Sequence, residues 1–176
     1  AQLADLHAGT AQLAIRFGRG RYPGLCAEFL MGDAVMPVCS PSFLRQFGPF
    51  DRLEALLESP LLHDSDCGPH GSGEDWASWL AFVGRPELAC EAGSRFSSAA
   101  LTLEAAAAGL GVALGRRSLL EDDLASGRLV AAWPVAAPTA FSYWLVCLPE
   151  ATTTPSLAAF RAWLVDEVRP FTQPSF

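Results

Sequence analysis

Strand-like apolar runs alternate with segments of helical periodicity from one end of the chain to the other, and that alternation restricts it to an α/β architecture with mostly parallel sheets. Gln12 to Phe17 reads as a buried strand closed by Gly18, and Leu25 to Met31 and Ala34 to Cys39 read as two further strands. Pro41 to Phe47 is expected to be a short helix, with Pro near its first position and Ser40 as its cap. Asp51 to Leu57, Glu74 to Val83, Ser98 to Ala108 and Arg117 to Ala125 read as helices, with Ser72 placed to cap the second of these. Short strands are expected at Leu61 to His63, Val112 to Leu114 and from Leu129, and a longer one at Phe141 to Leu148. Ser156 to Val168 is amphipathic: Leu157, Phe160, Trp163, Leu164 and Val168 recur at helical spacing.

Composition excludes several classes. With 51% apolar and 18% charged residues over 176 positions, the chain can build the core of one ordinary domain or two small lobes. It carries a formal charge of −7, has no lysine, and shows no basic run beyond Arg116-Arg117. A surface that grips phosphates needs clustered cations, so this segment is not expected to bind nucleic acid itself. No window reaches the roughly 18 to 20 apolar residues of a membrane span, and the opening AQLADLHAGT lacks the charged start and apolar stretch of a signal peptide. The five cysteines, Cys26, Cys39, Cys67, Cys90 and Cys147, are odd in number and form no CxxC pair. This usage favours a reducing cytoplasm over a disulfide framework or a zinc site. Gly18, Gly20 and Gly24 do not make a dinucleotide fingerprint: the spacing is wrong and Pro23 follows where a helix should start. No cofactor is implied.

Eight segments, in order, carry a resemblance: AIRFGRGRYPGL (Ala14 to Leu25), MPVCSPSFL (Met36 to Leu44), PLLH (Pro60 to His63), DWASWLAFVG (Asp75 to Gly84), LEAAAAGLGVALG (Leu103 to Gly115), LASGRLV (Leu124 to Val130), SYWLVCLP (Ser142 to Pro149) and LAAFRAWL (Leu157 to Leu164). Together they resemble the effector-binding domain of LysR-type transcription regulators, and the first is similar to the subgroup of the glycine-cleavage activator and the β-lactamase-gene regulator. The resemblance implies an α/β fold like the type 2 periplasmic binding proteins: two lobes joined by two crossover strands, with the ligand in the cleft. Crossovers are then expected near Val38 to Ser40 and Phe141 to Trp144, giving lobe I as 1–39 plus 142–176 and lobe II as 40–141. The family's helix-turn-helix and linker helix have no counterpart here, and lobe I is expected to lack the family's opening strand-helix-strand. Residues Ala1 to Gly9 match the short helix that follows it.

Ligands of open α/β sheets sit beyond the carboxyl ends of strands and at helix N-termini. That rule selects Arg16, Phe17 and Gly18 at the end of the first strand, where an arginine suits a carboxylate, although Arg16 is equally suited to a structural ion pair. It also selects Ser97 and Ser98 before the Ala-rich helix, one of which is expected to cap it. Tyr143, on the second expected crossover, is favoured over Ser142 and Trp144, which face the other way. Ser40 and His63 complete the ligand-binding set, each with a structural reading beside it: helix capping for Ser40, a satisfied buried imidazole for His63. The loop from His63 to Asp75 holds two His, three Asp, one Glu and Cys67. A metal site or a Cys67/His70 nucleophile pair is conceivable there, but no motif surrounds them, and a solvated loop ending in a helix start accounts for the composition. The resemblance implies a non-enzymatic, cytoplasmic sensor of a small polar or anionic effector, a homodimer or tetramer reaching DNA only through a helix-turn-helix outside this chain. The alternatives are an exported solute-binding protein of the same fold and a small hydrolase using Cys67 or Ser72.

Overall fold

The computed structural model describes residues 6, 11–65, 75–88 and 91–172. The expectations for Ala1 to Gly9, the Cys67/His70 pair, the Ser72 cap and Cys90 lie outside those residues, Leu6 excepted. The strands are β1 (Leu13–Gly18), β2 (Cys26–Cys39), β3 (Leu61–Asp64), β4 (Ser94–Phe96), β5 (Val112–Arg116), β6 (Val130–Ala131) and β7 (Ala137–Cys147). The helices are α1 (Pro41–Phe47), α2 (Leu53–Leu57), α3 (Trp76–Phe82), α4 (Ala99–Ala107), α5 (Arg117–Ala125) and α6 (Pro155–Thr172), with a 3-10 turn at Pro149–Thr153. The chain forms two compact units. Unit 1 comprises the stretches up to Gly32 and from Ala140 onward; unit 2 is Asp33–Thr139. β2 and β7 each run from one unit into the other.

In unit 2 the strand order is β2-β5-β3-β4, with β6 also on β2. β3 pairs in parallel with both β4 and β5, whereas β2 is antiparallel to β5 and to β6. Unit 1 places β7 between β1 and β2, and β1 is antiparallel to β7. The expectation of mostly parallel pairing is therefore corrected: among the described residues parallel pairing is confined to β3, β4 and β5, because the two strands that leave the units run against their neighbours.

Adjacent residues on a strand face opposite sides, and unit 2 buries both. Cys39, Leu61 and Val112 face one cluster, with Phe43, Leu56, Trp76, Trp79 and Leu80 of α1, α2 and α3. Their neighbours Val38, Leu62 and Ala113 face the other, with Leu103, Ala106 and Leu120 of α4 and α5. The two buried indoles are satisfied: Trp76 Nε1 donates to the Leu62 carbonyl at 3.2 Å and Trp79 Nε1 to that of Val135 at 3.1 Å. In unit 1, Leu30 and Leu145 pack against Leu164 of α6, joined by Leu13, Tyr143, Val165 and Val168.

Three further sequence readings need correction. The two strands expected at Leu25 to Met31 and Ala34 to Cys39 are one, because Asp33 finds partners that let the strand continue: its Oδ1 accepts from Ala34 N at 2.9 Å and its Oδ2 from Ser118 Oγ at 2.6 Å. The helix expected at Glu74 to Val83 is α3, with Asp75 as its cap, accepting from Ser78 N at 2.8 Å. The apolar stripe of α6 is narrower than its periodicity suggests. Leu164 is buried and Leu157 and Val168 are half-buried, but Phe160 and Trp163 are exposed and lie against each other.

Candidate functional site

The parallel strands β3, β4 and β5 all end on the same side of unit 2, the side of Asp33. Their register fixes this: Asp64 lies opposite Phe96, and Arg116 lies opposite Val35 near the start of the unit 2 part of β2. Ser97 and Ser98 follow β4 directly, so they stand at this edge, at the N-terminus of α4. Ser98 is the N-cap, its Oγ accepting from Leu101 N at 3.4 Å, and Thr102 Oγ1 donates to the Ser98 carbonyl at 2.9 Å. Ser97 is exposed. A helix start carries N–H groups that lack intrahelical partners and a partial positive charge, which suits a carboxylate or amide oxygen.

The same edge contains three residues that sequence reasoning passed over. Asp33, half-buried, accepts from both the backbone N (3.2 Å) and Oγ (2.6 Å) of Ser118 in the first turn of α5. It serves as the cap that Arg116, the residue at the cap position, does not supply. Thr139 Oγ1 donates to the Asp33 carbonyl at 3.1 Å. The one available signal was the Gly32-Asp33 pair inside an otherwise apolar run.

His63 is buried on β3, and its Nε2 lies 2.9 Å from the Ala92 carbonyl oxygen. A carbonyl only accepts, so Nε2 donates and carries the proton. Ser40 is buried at the opposite end of β2, capping α1 by accepting from Phe43 N at 3.1 Å, with Ser42 Oγ 2.9 Å away. A Cβ on Gly109, just past the C-terminus of α4, would stand 3.4 Å from Ser40 Oγ. Ser40 and Ser98 thus flank opposite ends of α4, a separation of roughly 13 Å at about 1.5 Å per residue. The structure groups Ser97 and Ser98, and sets Ser40 apart from them.

In unit 1, β1 brings Phe17 opposite Tyr143, with ring centroids 4.8 Å apart and Phe141 at 5.6 Å from Phe17. The Arg19 guanidinium, missed at the sequence level, lies 5.3 Å from the centre of the Phe141 ring. Arg16 lies opposite Trp144 and alternates with Phe17, so it projects from the other face of the sheet, where its guanidinium sits over the Tyr22 ring at 5.3 Å. Arg16 and Tyr143 therefore do not converge on one face of unit 1. Burial pushes the Tyr22 hydroxyl above its ordinary range, an effect partly offset by the Arg16 charge, and that hydroxyl has no partner among the described residues. Gly18 closes β1 with its carbonyl accepting from Trp144 Nε1 at 3.0 Å, and a Cβ there would stand 2.6 Å from the Tyr22 hydroxyl. Gly20 is required by its surroundings: φ is 76° and a Cβ would come within 2.4 Å of the Trp144 ring. Among the described residues no cluster of three His, Cys, Asp or Glu could hold a metal ion, and no helix is long and apolar enough to cross a membrane.

The known proteins with these features are consistent with one another. The family model described as "LysR substrate binding domain" matches residues 1–169. The glycine cleavage system transcriptional activator of Escherichia coli (strain K12) is 33% identical over 161 residues, covering 92% of this chain and 51% of its own length. The transcriptional activator AmpR of Enterobacter cloacae is 30% identical over 157 residues, covering 88% of this chain and 50% of its own. The chain thus spans about half the length of the curated relatives it matches. Among solved structures, the AmpR effector-binding domain from Citrobacter freundii superposes with a TM-score of 0.76 at 27% identity, over 96% of this chain and 80% of that one. The effector domain of AmpR of Pseudomonas aeruginosa gives 0.75 at 29%, over 94% and 76%. The likeness carries with it the periplasmic-binding-protein-like fold of those domains, and the relatives are transcription regulators rather than enzymes. By the match over almost its whole length, the chain belongs to the LysR substrate-binding-domain family.

Proposed function

We propose that the chain is the effector-sensing domain of a transcription regulator, binding a small polar or anionic metabolite and controlling a helix-turn-helix segment outside residues 1–176. The observation that carries this reading is the family match across residues 1–169, joined to an exposed Ser97 beside the Ser98-capped start of α4. In this reading Ser97 and the α4 N-terminus receive the anionic or amide end of the effector. For unit 1 the proposed contribution comes from one face of β1, either Arg16 with Gly18 or Phe17 with Tyr143, since the two pairs lie on opposite faces. Ser40 and His63 belong to the scaffold, given their bonds to Phe43 N and the Ala92 carbonyl. The regulator works in the cytoplasm as a homodimer or tetramer and touches DNA only through its helix-turn-helix; this chain needs no catalytic group. A ligand shifts such a sensor only as far as its affinity differs between two states of the protein.

The test is a thermal-shift screen against amino acids and small mono- and dicarboxylates, followed by calorimetric titration of hits on Ser97→Ala and Arg16→Gln. A ligand at 100 times its Kd stabilises the folded chain by about 2.7 kcal/mol. Hits that bind wild type and weaken about tenfold in Ser97→Ala support the reading. Hits whose affinity is unchanged by both substitutions place the effector elsewhere.

A further inference from the structure

Unit 1 contains a cavity of about 440 Å³ whose lining includes Leu13, Cys26, Glu28, Leu145, Cys147 and Arg161. Two of those residues are thiols, and they come from neighbouring strands. β2 leaves unit 1 and β7 enters it, so these adjacent strands run antiparallel. Side-chain contacts on both faces support a register in which Phe29 stands opposite Trp144. Phe29 meets Trp144 edge to face, with centroids 5.6 Å apart, and Leu30 shares a cluster with Tyr143 and Leu145 on the other face. Counting three residues back from Phe29 and three forward from Trp144 brings Cys26 opposite Cys147. Both side chains face the cavity, so they share one face of the sheet.

Residues directly opposite on antiparallel strands have Cα atoms about 4.5 or 5.5 Å apart. A disulfide spans Cα separations of about 4.4 to 6.8 Å. In that register the Cα separation of Cys26 and Cys147 falls within the span of a disulfide. Burial pushes the Cys147 thiol up, and so do the charges of Cys26 and Glu28, while Arg161 works the other way, which marks Cys26 and Cys147 as near neighbours. Both are free thiols; Cys26 is exposed and Cys147 half-buried.

We propose that Cys26 and Cys147 are a reversible dithiol–disulfide site that hydrogen peroxide oxidises. The exposed Cys26 sulfur attacks one peroxide oxygen, the O–O bond breaks, and water leaves a sulfenic acid on Cys26. The Cys147 sulfur then attacks that sulfur, the S–O bond breaks, and the departing hydroxide takes the Cys147 proton as a second water. Two thiols lose two electrons and two protons in all, and one peroxide becomes two waters. Low-molecular-weight thiols reverse the step by exchange, as exposed cross-links permit. Arg161, which holds Glu28 in a two-pronged ion pair at the cavity wall, places a positive charge near the Cys147 thiol, the nucleophile of the second step.

The experiment treats reduced protein with a few equivalents of hydrogen peroxide, blocks remaining thiols, and maps non-reduced peptides after cleavage at Glu28, which separates Cys26 from Cys39. Free thiols should fall from five to three per chain, a Cys26–Cys147 linked peptide should appear, and dithiothreitol should restore all five. Cys26→Ser and Cys147→Ser should each abolish the link. If either variant is misfolded by circular dichroism, the wild-type peptide map alone decides. A link through Cys39, Cys67 or Cys90, a cross-link only between chains, or over-oxidation of Cys26 with Cys147 still titratable overturns the proposal. None of these readouts depends on an effector.

Discussion

Gly93 shows how one residue can be fixed by its surroundings. Its φ of 136° lies where side chains are rarely tolerated, and a Cβ would stand 2.2 Å from the Leu61 carbonyl oxygen and 2.9 Å from His63 Nε2. Gly93→Ala should cost about 2–4 kcal/mol in urea unfolding, a range typical of backbone strain combined with a forced shift. A midpoint within error of wild type would mean that the Ala92–Gly93 turn relaxes freely. Cys39 is the second case. Burial alone pushes its thiol up to about 11 from 9.0. Its folded pKa is raised, so the stability it contributes is complete below about 9 and is lost as pH rises from there through about 11. The slope is roughly 1.4 kcal/mol per pH unit. Cys39→Ala should be flatter over that interval in denaturant melts, and an equally steep alanine variant would move the effect to another thiol. His63 was legible as a polar residue in an apolar strand, but its partner was not. A glycine's φ, and the carbonyl it lets a histidine reach, depend on chain segments that meet only after folding.

At the scale of elements, caps separate structure from binding. Ser98→Ala removes the N-cap of α4 and should cost about 1 kcal/mol. Ser97→Ala, at an exposed position, should leave stability within about 0.5 kcal/mol while weakening effector binding. Equal losses of stability in the two variants would contradict this division. For α5 the cap comes from Asp33, so Asp33→Ala should destabilise by about 1–2 kcal/mol, with Asp33→Asn milder because it keeps an acceptor. The contrast explains what the sequence revealed. The α1 and α4 caps lie three residues from the N–H groups they serve, so a local pattern exposes them. The α5 cap lies 85 residues from Ser118, and without it Gly32-Asp33 reads as a break in β2 rather than its continuation. Likewise, helical spacing marked Phe160 and Trp163 as core, but only the line of approach of α6 to its sheet decides which side of the stripe is covered.

For the whole molecule, acid should act through exposed carboxylates. Hydrogen bonds from Arg85 hold Glu54 and Glu87 below the ordinary glutamate value of 4.5, and Arg128 does the same for Glu104. Depressed folded values mean that their stabilisation is present above about 4.5 and is lost as pH falls through the lower folded values. These pairs are screened by solvent, so the loss should be small and should flatten in 1 M salt. An acid limb insensitive to salt would assign it to buried groups instead. At this scale the order of eight short segments sufficed for the family, since each element keeps its place in the chain. How the proposed effector contacts group was less legible, because strand register puts Arg16 and Tyr143 on opposite faces and α4 puts Ser40 and Ser98 at opposite ends. The placement of the indoles has a practical consequence. Trp76 and Trp79 are buried edge to face, 5.8 Å apart, within unit 2, whereas Trp163 of unit 1 is 54% exposed. The protein carries its own optical labels: a coupled pair giving a near-ultraviolet dichroic signal for unit 2, and a water-facing emitter, readily quenched by iodide, for unit 1.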